Sequence, residues 1–541
     1  MAGRTCIEVF GHIIFSFTRS VSEQYSPKDS EYSQETLEYS LLQNTGREWY
    51  AEPVGKIIYQ EYSNKEGTVD DFLPASCRVK AVFLDACSPT HIAEQNQKQE
   101  ADLHREMSWK QLRPSASRTV CKATVIGASI SLLSAIAIGM VFTMVSYLTY
   151  KTYLNCHFQP KNSIPLKLQW MQVIYHSIFF IFLYIWVFVL ALVLFRPYQL
   201  SGVKRKLFLC CMFMFSLDSL YRVTLQALGI LKSFPLSDAQ AIPIGILFNI
   251  SIFGHNYLLA NHLCLHSKRQ KRVVFMLFFA IYCLPFTAGM IISSYIYPAY
   301  KKQNEKGKLI IALFSPLLGV AFKTTSRICV QRLWRITHPA YSYVMMAPLY
   351  GASAVTFRVM QVDLGNLRDI AYLGIIHGAA EVIERSAVVV IDHICQRILK
   401  RASAPWGRYR TPRTERITAD IAIMSMLYES SAIVSINGFF HLYQFIYENT
   451  SFWLLLVSFT KLSAVPLVIE WLFTSISLAI ETRYQNLAVM AVWRKEWRRH
   501  ILVAVLNVLP LAAWASPHFL TVVQARFKNP LHQGSCKMPF S

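Results

Sequence analysis

A long apolar run at residues 369–397 contains an unusual number of ionisable side chains. They are His377, Glu381, Glu384, Arg385 and Asp392. If the run is a helix, the spacing of positions 377, 381, 384 and 392 places four of them on one face. A histidine followed four residues later by a carboxylate can act as an acid–base pair, and a row of charges can also line the path of a solute or ion. Because each charge at the centre of a bilayer costs at least about 2.5–3.5 kcal/mol, we expect this row to face protein or a water-filled cavity.

The same run contains a pair of glycines four residues apart, Gly374 and Gly378. A G-x-x-x-G pair has no side chains on that part of the helix, so another helix can come close. We therefore predict that this helix packs against a neighbour through its glycine face.

The elements that position these residues are predicted to be membrane-spanning helices. Of the 541 residues, 53% are hydrophobic and only 16% are charged, against about 25% charged residues in typical soluble domains. The composition and the long apolar runs predict an all-α fold, a polytopic transmembrane helical bundle of about eleven spans. The spans are predicted near 121–150, 168–196, 206–230, 239–261, 273–298, 309–330, 339–361, 369–396, 418–446, 452–480 and 501–523.

The charge distribution divides the chain into three regions. Residues 1–117 hold 12 Lys/Arg against 17 Asp/Glu and have little hydrophobic periodicity, which predicts an acidic, partly disordered segment outside the membrane. Residues 118–526 are the predicted transmembrane domain, and 527–541 form a short tail. Residues 118–541 together hold 42 Lys/Arg against 15 Asp/Glu.

Most of these basic residues lie between the apolar runs, and they favour every second connector. The positive-inside rule then places the N-terminal segment in the cytosol, and an odd number of spans places the tail on the other side. Basic loops beside a bilayer are typical of contact with anionic lipid headgroups rather than with nucleic acid. We predict such a contact above all for the loop at 397–416.

Other predicted spans carry charges at about the same depth as the row in 369–397. The predicted solute or ion pathway comprises Asp218, Arg222, Lys323, His377, Glu381, Glu384, Arg385 and Glu429. Within it, Asp218–Arg222 and Glu381–Arg385 have the i, i+4 spacing of ion pairs along one helix. If both pairs form, Lys323 is left opposite two acids, Glu384 and Glu429.

Three classes of function fit these features. A secondary transporter or channel-like protein for a small solute or ion fits best, because uncharged polar side chains would hold helices together at lower cost. A membrane receptor or scaffold with structural buried charges is the alternative. The third class is a membrane-embedded, lipid-modifying enzyme that uses His377 or His441 as a base.

Several common sites are missing from the sequence. It contains no P-loop, no H-E-x-x-H and no EF-hand pattern. His262, Cys264 and His266 are spaced like metal ligands, but histidines are common at the ends of spans, and we interpret them in that way. The sequence therefore predicts no metal, cofactor or catalytic site.

Overall fold

The structure is a computed structural model that describes residues 116–150, 164–195, 199–230, 238–263, 267–333, 336–337, 339–364, 366–400, 412–447, 450–483, 485 and 487–526. The regular elements in these ranges are helices. They are α1 (Ala116–Thr149), α2 (Leu166–Leu194), α3 (Lys204–Ala227), α4 (Asp238–Leu263), α5 (Lys268–Ile291), α6 (Tyr297–Lys301), α7 (Glu305–Arg332), α8 (Pro339–Ser342), α9 (Ala347–Asp363), α10 (Leu367–Lys400), α11 (Pro412–Tyr447), α12 (Phe452–Arg483) and α13 (Val489–Arg526). A π-helical turn at Ile292–Ile296 follows α5, and a 3₁₀ turn at Tyr343–Met345 joins α8 to α9.

Eight of the described helices are long and apolar enough to cross a membrane, namely α1 to α5, α7, α11 and α12. Large apolar side chains on several of them, including Leu132, Phe182 and Trp453, are exposed. Such side chains are expected where lipid rather than water surrounds a helical bundle. The finding agrees with the predicted all-helical membrane protein.

Three of the eleven predicted spans do not meet the same criteria of length and hydropathy. The span predicted at 339–361 is divided into α8, the 3₁₀ turn and α9, and α9 has only 17 residues. The span predicted at 369–396 corresponds to α10, which is long but carries many charges. The span predicted at 501–523 lies within α13, whose 38 residues begin with a basic segment. Eight helices, not eleven, therefore have the length and hydropathy of a crossing helix among the described residues.

Helix α11 lies at the centre of the bundle. In its most apolar window 89% of the residues are buried, against at most 44% in the other candidate spans. It packs against α1, α9, α12 and α13. Its small polar residues explain this position, because side chains such as Ser430 and Ser435 leave room for neighbours on every side.

Close contact between α1 and α11 depends on a small residue. A Cβ on Gly139 of α1 would lie only 2.8 Å from the side chain of Val434 on α11. Further along the same contact, the hydroxyl of Ser430 donates a hydrogen bond of 3.1 Å to the hydroxyl of Ser131. The two helices are therefore held by close packing and by a buried polar contact.

Helix α10 has one apolar side and one charged side. Ile375, Ile376 and Ile383 are exposed, whereas Glu381 and Arg385 are buried. The helix packs on α7 and α12. The prediction that the charged row faces protein is confirmed for these two residues.

The glycine pair of α10 contacts α12, but it accommodates side chains and not the close approach of another helix backbone that a G-x-x-x-G pair predicts. A Cβ on Gly378 would lie 2.7 Å from Cγ of the Phe473 ring, and one on Gly374 would lie 3.7 Å from a methyl group of Ile469. Phe473 and Ile469 of α12 share the space that the two glycines leave with Gln361 of α9, whose Nε2 would lie 3.2 Å from a Cβ on Gly374.

Some predictions concern residues outside the described ranges. Residues 1–115, 401–411 and 527–541 are among these, as are Cys264 and His266. The properties of the N-terminal segment, most of the basic loop at 397–416 and the C-terminal tail therefore stay predictions.

Candidate functional site

Nine side chains from five helices form what we call the buried charge network. The network comprises Lys323, Arg358, His377, Glu381, Glu384, Arg385, Glu429, Glu470 and Glu481. Helices α7 and α9 each contribute one base, α10 contributes four of the residues, and α11 and α12 supply the other acids. The most exposed of these side chains, Glu384, is 16% exposed. The network is therefore enclosed by protein.

Arg358 contacts two acids at once. Its Nη2 donates to Oε2 of Glu470 at 2.7 Å and to Oε2 of Glu429 at 3.1 Å, which connects α9 to α12 and α11. Its Nη1 donates to Oε1 of Gln361 at 2.8 Å. One guanidinium thus faces two carboxylates and can neutralise only one of them.

Helix α9 is fixed in the bundle by hydrogen bonds at its C-terminal end. Nε2 of Gln361 donates to the carbonyl of Ile370 on α10 at 2.7 Å. The hydroxyl of Tyr300 on α6 donates to the carbonyl of Met360 at 3.0 Å. These contacts hold the helix, and therefore Arg358, at a fixed height between α10 and α11.

His377 lies beside Glu429, one of the two acids that Arg358 contacts, and its ring forms no hydrogen bond. Its ring stacks on Phe357 with a centroid distance of 3.7 Å and an interplanar angle of 16°. Its Nε2 lies 3.4 Å from Oε2 of Glu429, yet both ring nitrogens are buried and make no contact with hydrogen-bond geometry. The stacking fixes the ring while leaving its two nitrogens available.

Glu381 is a buried acid that no base neutralises. Its Oε1 accepts a hydrogen bond of 2.8 Å from the hydroxyl of Ser425. Among the described residues, no lysine, arginine or histidine forms an ion pair with it, although the residue is only 9% exposed. A buried carboxylate is normally paired, because removing an isolated charge from water is expensive.

Lys323 pairs with one of its two predicted acids. Its Nζ lies 3.4 Å from Oε2 of Glu384 and 4.9 Å from the centre of the Tyr350 ring. The other predicted partner, Glu429, lies close to Arg358 and His377 instead. The prediction is confirmed for Glu384.

The predicted pairing of Glu381 with Arg385 along α10 is wrong. Arg385 forms a two-point contact with Glu481 of α12, from Nε at 2.8 Å and from Nη2 at 2.9 Å. Planar, two-point contacts of this kind are the strongest that arginine makes with a carboxylate. Arg385 is thus engaged by another helix, and Glu381 is left without its expected partner.

Asp392, the last charge of the α10 row, lies in a separate and balanced contact. Arg327 of α7 donates from Nε to Oδ1 of Asp392 at 2.6 Å, and Gln331 donates to Oδ2 at 2.8 Å. Arg327 lies near the C-terminal end of α7, and its side chain is buried. This pair connects α7 and α10 without adding net charge.

The charges of the buried charge network do not balance. It contains five carboxylates and three bases if His377 is neutral. Lys323 pairs with Glu384 and Arg385 with Glu481, while Arg358 is shared by Glu429 and Glu470. The charge of Glu381 also acts on Glu470 and Glu481. With all five carboxyls ionised, the network would hold two excess negative charges, and a buried site of this kind favours the uptake of protons or cations.

Two of the predicted pathway residues lie elsewhere in the bundle. Asp218 and Arg222 form the predicted pair along α3, with Nε of Arg222 3.1 Å from Oδ1 of Asp218, and the guanidinium also lies 3.9 Å from the centre of the Phe180 ring. Helix α3 packs mainly on α2 and α4. The structure thus brings six of the eight predicted residues together and leaves this pair outside the network.

The sequence argument missed Arg358, Glu470 and Glu481 as members of the site. Arg358 lies near the end of the span predicted at 339–361, and the sequence argument did not place it at the depth of the charged row. Glu470 and Glu481 carried a usable signal: eleven residues correspond to about three helical turns, which places both on one face of α12. That face is the one turned toward α10 and Arg358.

His441 and His262, two histidines that the sequence analysis singled out, make local contacts. Nδ1 of His441 lies 2.7 Å from the carbonyl of Asn437, and Nε2 lies 3.1 Å from the hydroxyl of Ser458. Nε2 of His262 lies 3.1 Å from the carbonyl of Gln199. These contacts are typical of histidines that stabilise helix packing.

A cavity of about 240 Å³ lies between α1, α12 and α13. Its walls are largely apolar, and it is lined by Cys121, Lys122, Val125, Ile126, Thr482, Ala488, Met490, Ala491 and Arg494. None of these residues belongs to the buried charge network. In this conformation the cavity therefore gives no access to the network.

Comparisons with protein-family models, with curated proteins and with solved structures find no match.

Proposed function

We propose that the protein is a secondary transporter or channel-like protein for a small solute or ion, and that a cation interacts with the buried charge network. The observation that supports this proposal is the charge excess, five carboxylates against three bases at a junction of five helices. Ionisable groups inside membrane bundles commonly mark the sites of ions and protons. A bundle held together only by ion pairs would have no need of an unpaired acid such as Glu381.

We also propose the full topology of eleven spans, with α9, α10 and α13 inside the membrane, the N-terminal segment in the cytosol and the tail on the opposite side. The proposal is supported by the bias of basic residues toward alternate connectors. It is also supported by the packing of α9, α10 and α13 on helices that are apolar enough to cross. A single cysteine at position 365, between α9 and α10, and one in the connector 401–411 should react with an impermeant thiol reagent from opposite sides, and labelling of both from one side would contradict the topology.

A membrane scaffold is the second candidate, and the contact between Arg385 and Glu481 favours it. Two buried hydrogen bonds between α10 and α12 are what a purely structural pair would show. The two candidates predict different roles for Glu381. In a transporter this acid would interact with the cation, whereas a scaffold provides no base to pair with it and no function for its charge.

The test is a transport assay with purified protein in liposomes. Solid-supported membrane electrophysiology would compare jumps in the concentration of H⁺, Na⁺, K⁺, Mg²⁺, Mn²⁺ and Zn²⁺. We expect a current with at least one of these cations, and we expect Glu381→Gln to abolish it, because the neutral amide removes the unpaired charge.

The matched control is His441→Gln, which changes a buried residue on the central helix away from the network. Its current should equal that of the unmodified protein. If no cation produces a current, or if Glu381→Gln and His441→Gln behave alike, the charge excess does not serve transport and the scaffold becomes the better reading.

A further inference from the structure

The buried charge network contains three side chains that are placed like the ligands of one ion. One ligand atom from each of His377, Glu381 and Glu429 lies within 4.8 Å of the other two. His377 and Glu381 are four residues apart on α10 and share a face, while Glu429 approaches from α11. Small side-chain movements would bring all three atoms to the bond lengths of about 2.0–2.2 Å that metal ions make with nitrogen and oxygen.

The unsatisfied groups of the network are concentrated at this point. Both ring nitrogens of His377 are buried without a hydrogen bond. Glu381 is 9% exposed and has no base as a partner among the described residues. A buried imidazole without a hydrogen bond beside a buried carboxylate whose one hydrogen bond comes from an uncharged serine favours a positively charged ligand between them.

The neighbouring residues hold each of the three side chains in position. Phe357 stacks on the ring of His377, and Ser425 donates to Oε1 of Glu381. Arg358 occupies only Oε2 of Glu429, which leaves the other carboxylate oxygen for a ligand. Contacts of this kind orient metal ligands in known sites and raise the affinity of the ion.

We propose that His377, Glu381 and Glu429 bind one divalent transition-metal ion of the Zn²⁺ or Mn²⁺ class. Two positive charges would offset the excess of two negative charges in the network. An imidazole with two carboxylates suits this class, whereas Ca²⁺ and Mg²⁺ select sites made of oxygen ligands alone. The proposal deepens the proposed function by naming the cation, and its role in transport rests on that function, although binding can be measured without transport.

The test is metal binding by the full chain in detergent. Protein treated with EDTA and then freed of it would be titrated with Zn²⁺ and with Mn²⁺ by calorimetry, and bound metal would be counted after dialysis by mass spectrometry. We expect one ion per chain. Loss of a ligand in Glu381→Gln or His377→Gln should weaken binding by about tenfold or more, as judged from the effects of changes around known metal sites.

Two matched controls separate ligation from folding. Asp392→Asn removes a carboxylate of the same helix that lies outside the network and pairs with Arg327, and His441→Gln removes a buried histidine elsewhere. Both should bind metal as the unmodified protein does. A second measurement needs no variant: pulsed electron paramagnetic resonance of bound Mn²⁺ should show coupling to an imidazole nitrogen, which His377→Gln should remove.

The outcomes distinguish the proposals. Absence of stoichiometric binding in monodisperse protein, or Mn²⁺ without a nitrogen coupling, would overturn the metal site, in which case protons balance the acids. Metal binding without any metal-driven current in liposomes would support the site and contradict the proposed transport. Currents carried by another cation, without metal binding, would support the proposed transport and contradict the metal site.

Discussion

Arg385 and Glu481 face each other across the contact between α10 and α12, and two hydrogen bonds of 2.8 and 2.9 Å join them. Both side chains are buried, and their side-chain exposures are 8% and 2%. Because the pair replaces the expected contact within α10, it both joins two helices and leaves Glu381 unpaired. The same contact therefore stabilises the bundle and shapes the network.

Breaking this pair on one side should destabilise the protein strongly. Arg385→Gln leaves Glu481 as a buried, unpaired charge and should lower the free energy of unfolding by about 3–5 kcal/mol. The double variant Arg385→Leu with Glu481→Leu should recover most of this loss, because no charge remains. Unfolding in mixed micelles by increasing SDS would measure both, and an equal loss in the two proteins would contradict the assignment.

Replacement of glutamate by glutamine should change the melting temperature differently at Glu481 and at Glu381. Glu481→Gln removes the partner of Arg385 and should lower the melting temperature markedly. Glu381→Gln removes an acid with no base and should leave the melting temperature unchanged or raise it in metal-free buffer, because an unpaired buried charge destabilises the folded state. Differential scanning fluorimetry in detergent with EDTA tests this, and a similar drop in both variants would show that Glu381 has a partner.

Asp218 and Arg222 should behave as a pair that is independent of the network. Double-mutant cycles with Asp218→Asn, Arg222→Gln and Glu429→Gln would measure the interaction energies from unfolding free energies. We expect a clear interaction between Asp218 and Arg222, and additivity within about 0.5 kcal/mol between Asp218 and Glu429, because distant residues without shared partners are independent. An interaction above this level for the second pair would connect α3 to the network.

The contact between Gly378 and Phe473 should be sensitive to a single methyl group. Gly378→Ala places a Cβ against the ring and should destabilise the protein by about 1–3 kcal/mol, as overpacking does in other cores. Gly245→Ala on α4 is the matched control, since no atom lies within 4 Å of a Cβ there. The control should gain up to about 1 kcal/mol from higher helix propensity. Equal effects at the two positions, measured by SDS unfolding, would mean that α10 and α12 do not pack as closely as described.

Periodicity predicted the inward side of α10 correctly. Its isoleucines and its charges alternate with the helical repeat, so the buried side follows from the sequence alone, as Ile383 and Arg385 illustrate. The G-x-x-x-G pair likewise predicted contact with another helix, because that property depends only on the absence of two side chains.

Partner choice was not predictable in the same way. Arg385 has an acid four residues before it, yet it pairs with Glu481, 96 positions later in the chain. The local geometry allows a contact between Arg385 and Glu381, but the packing of α12 against α10 provides a two-point contact with Glu481. A pattern within α10 contains no information about the position of α12. Arg358 was missed for a related reason: it lies near the end of the predicted span 339–361, and only the packing of α9 among its neighbours places it beside Glu429 and Glu470.

The enclosed position of α11 has a consequence for how the protein is made. Its main partners include α1, the first of the described helices to be synthesised, and α12 and α13, which follow it. When α11 is inserted, Arg358 of the earlier helix α9 can already contact Glu429, but Glu470 on α12, the second acid that Arg358 contacts, has not yet been made. Helix α11 must therefore pack beside α1 before α12 and α13 are present. Its remaining sides are covered only when these last two helices are added.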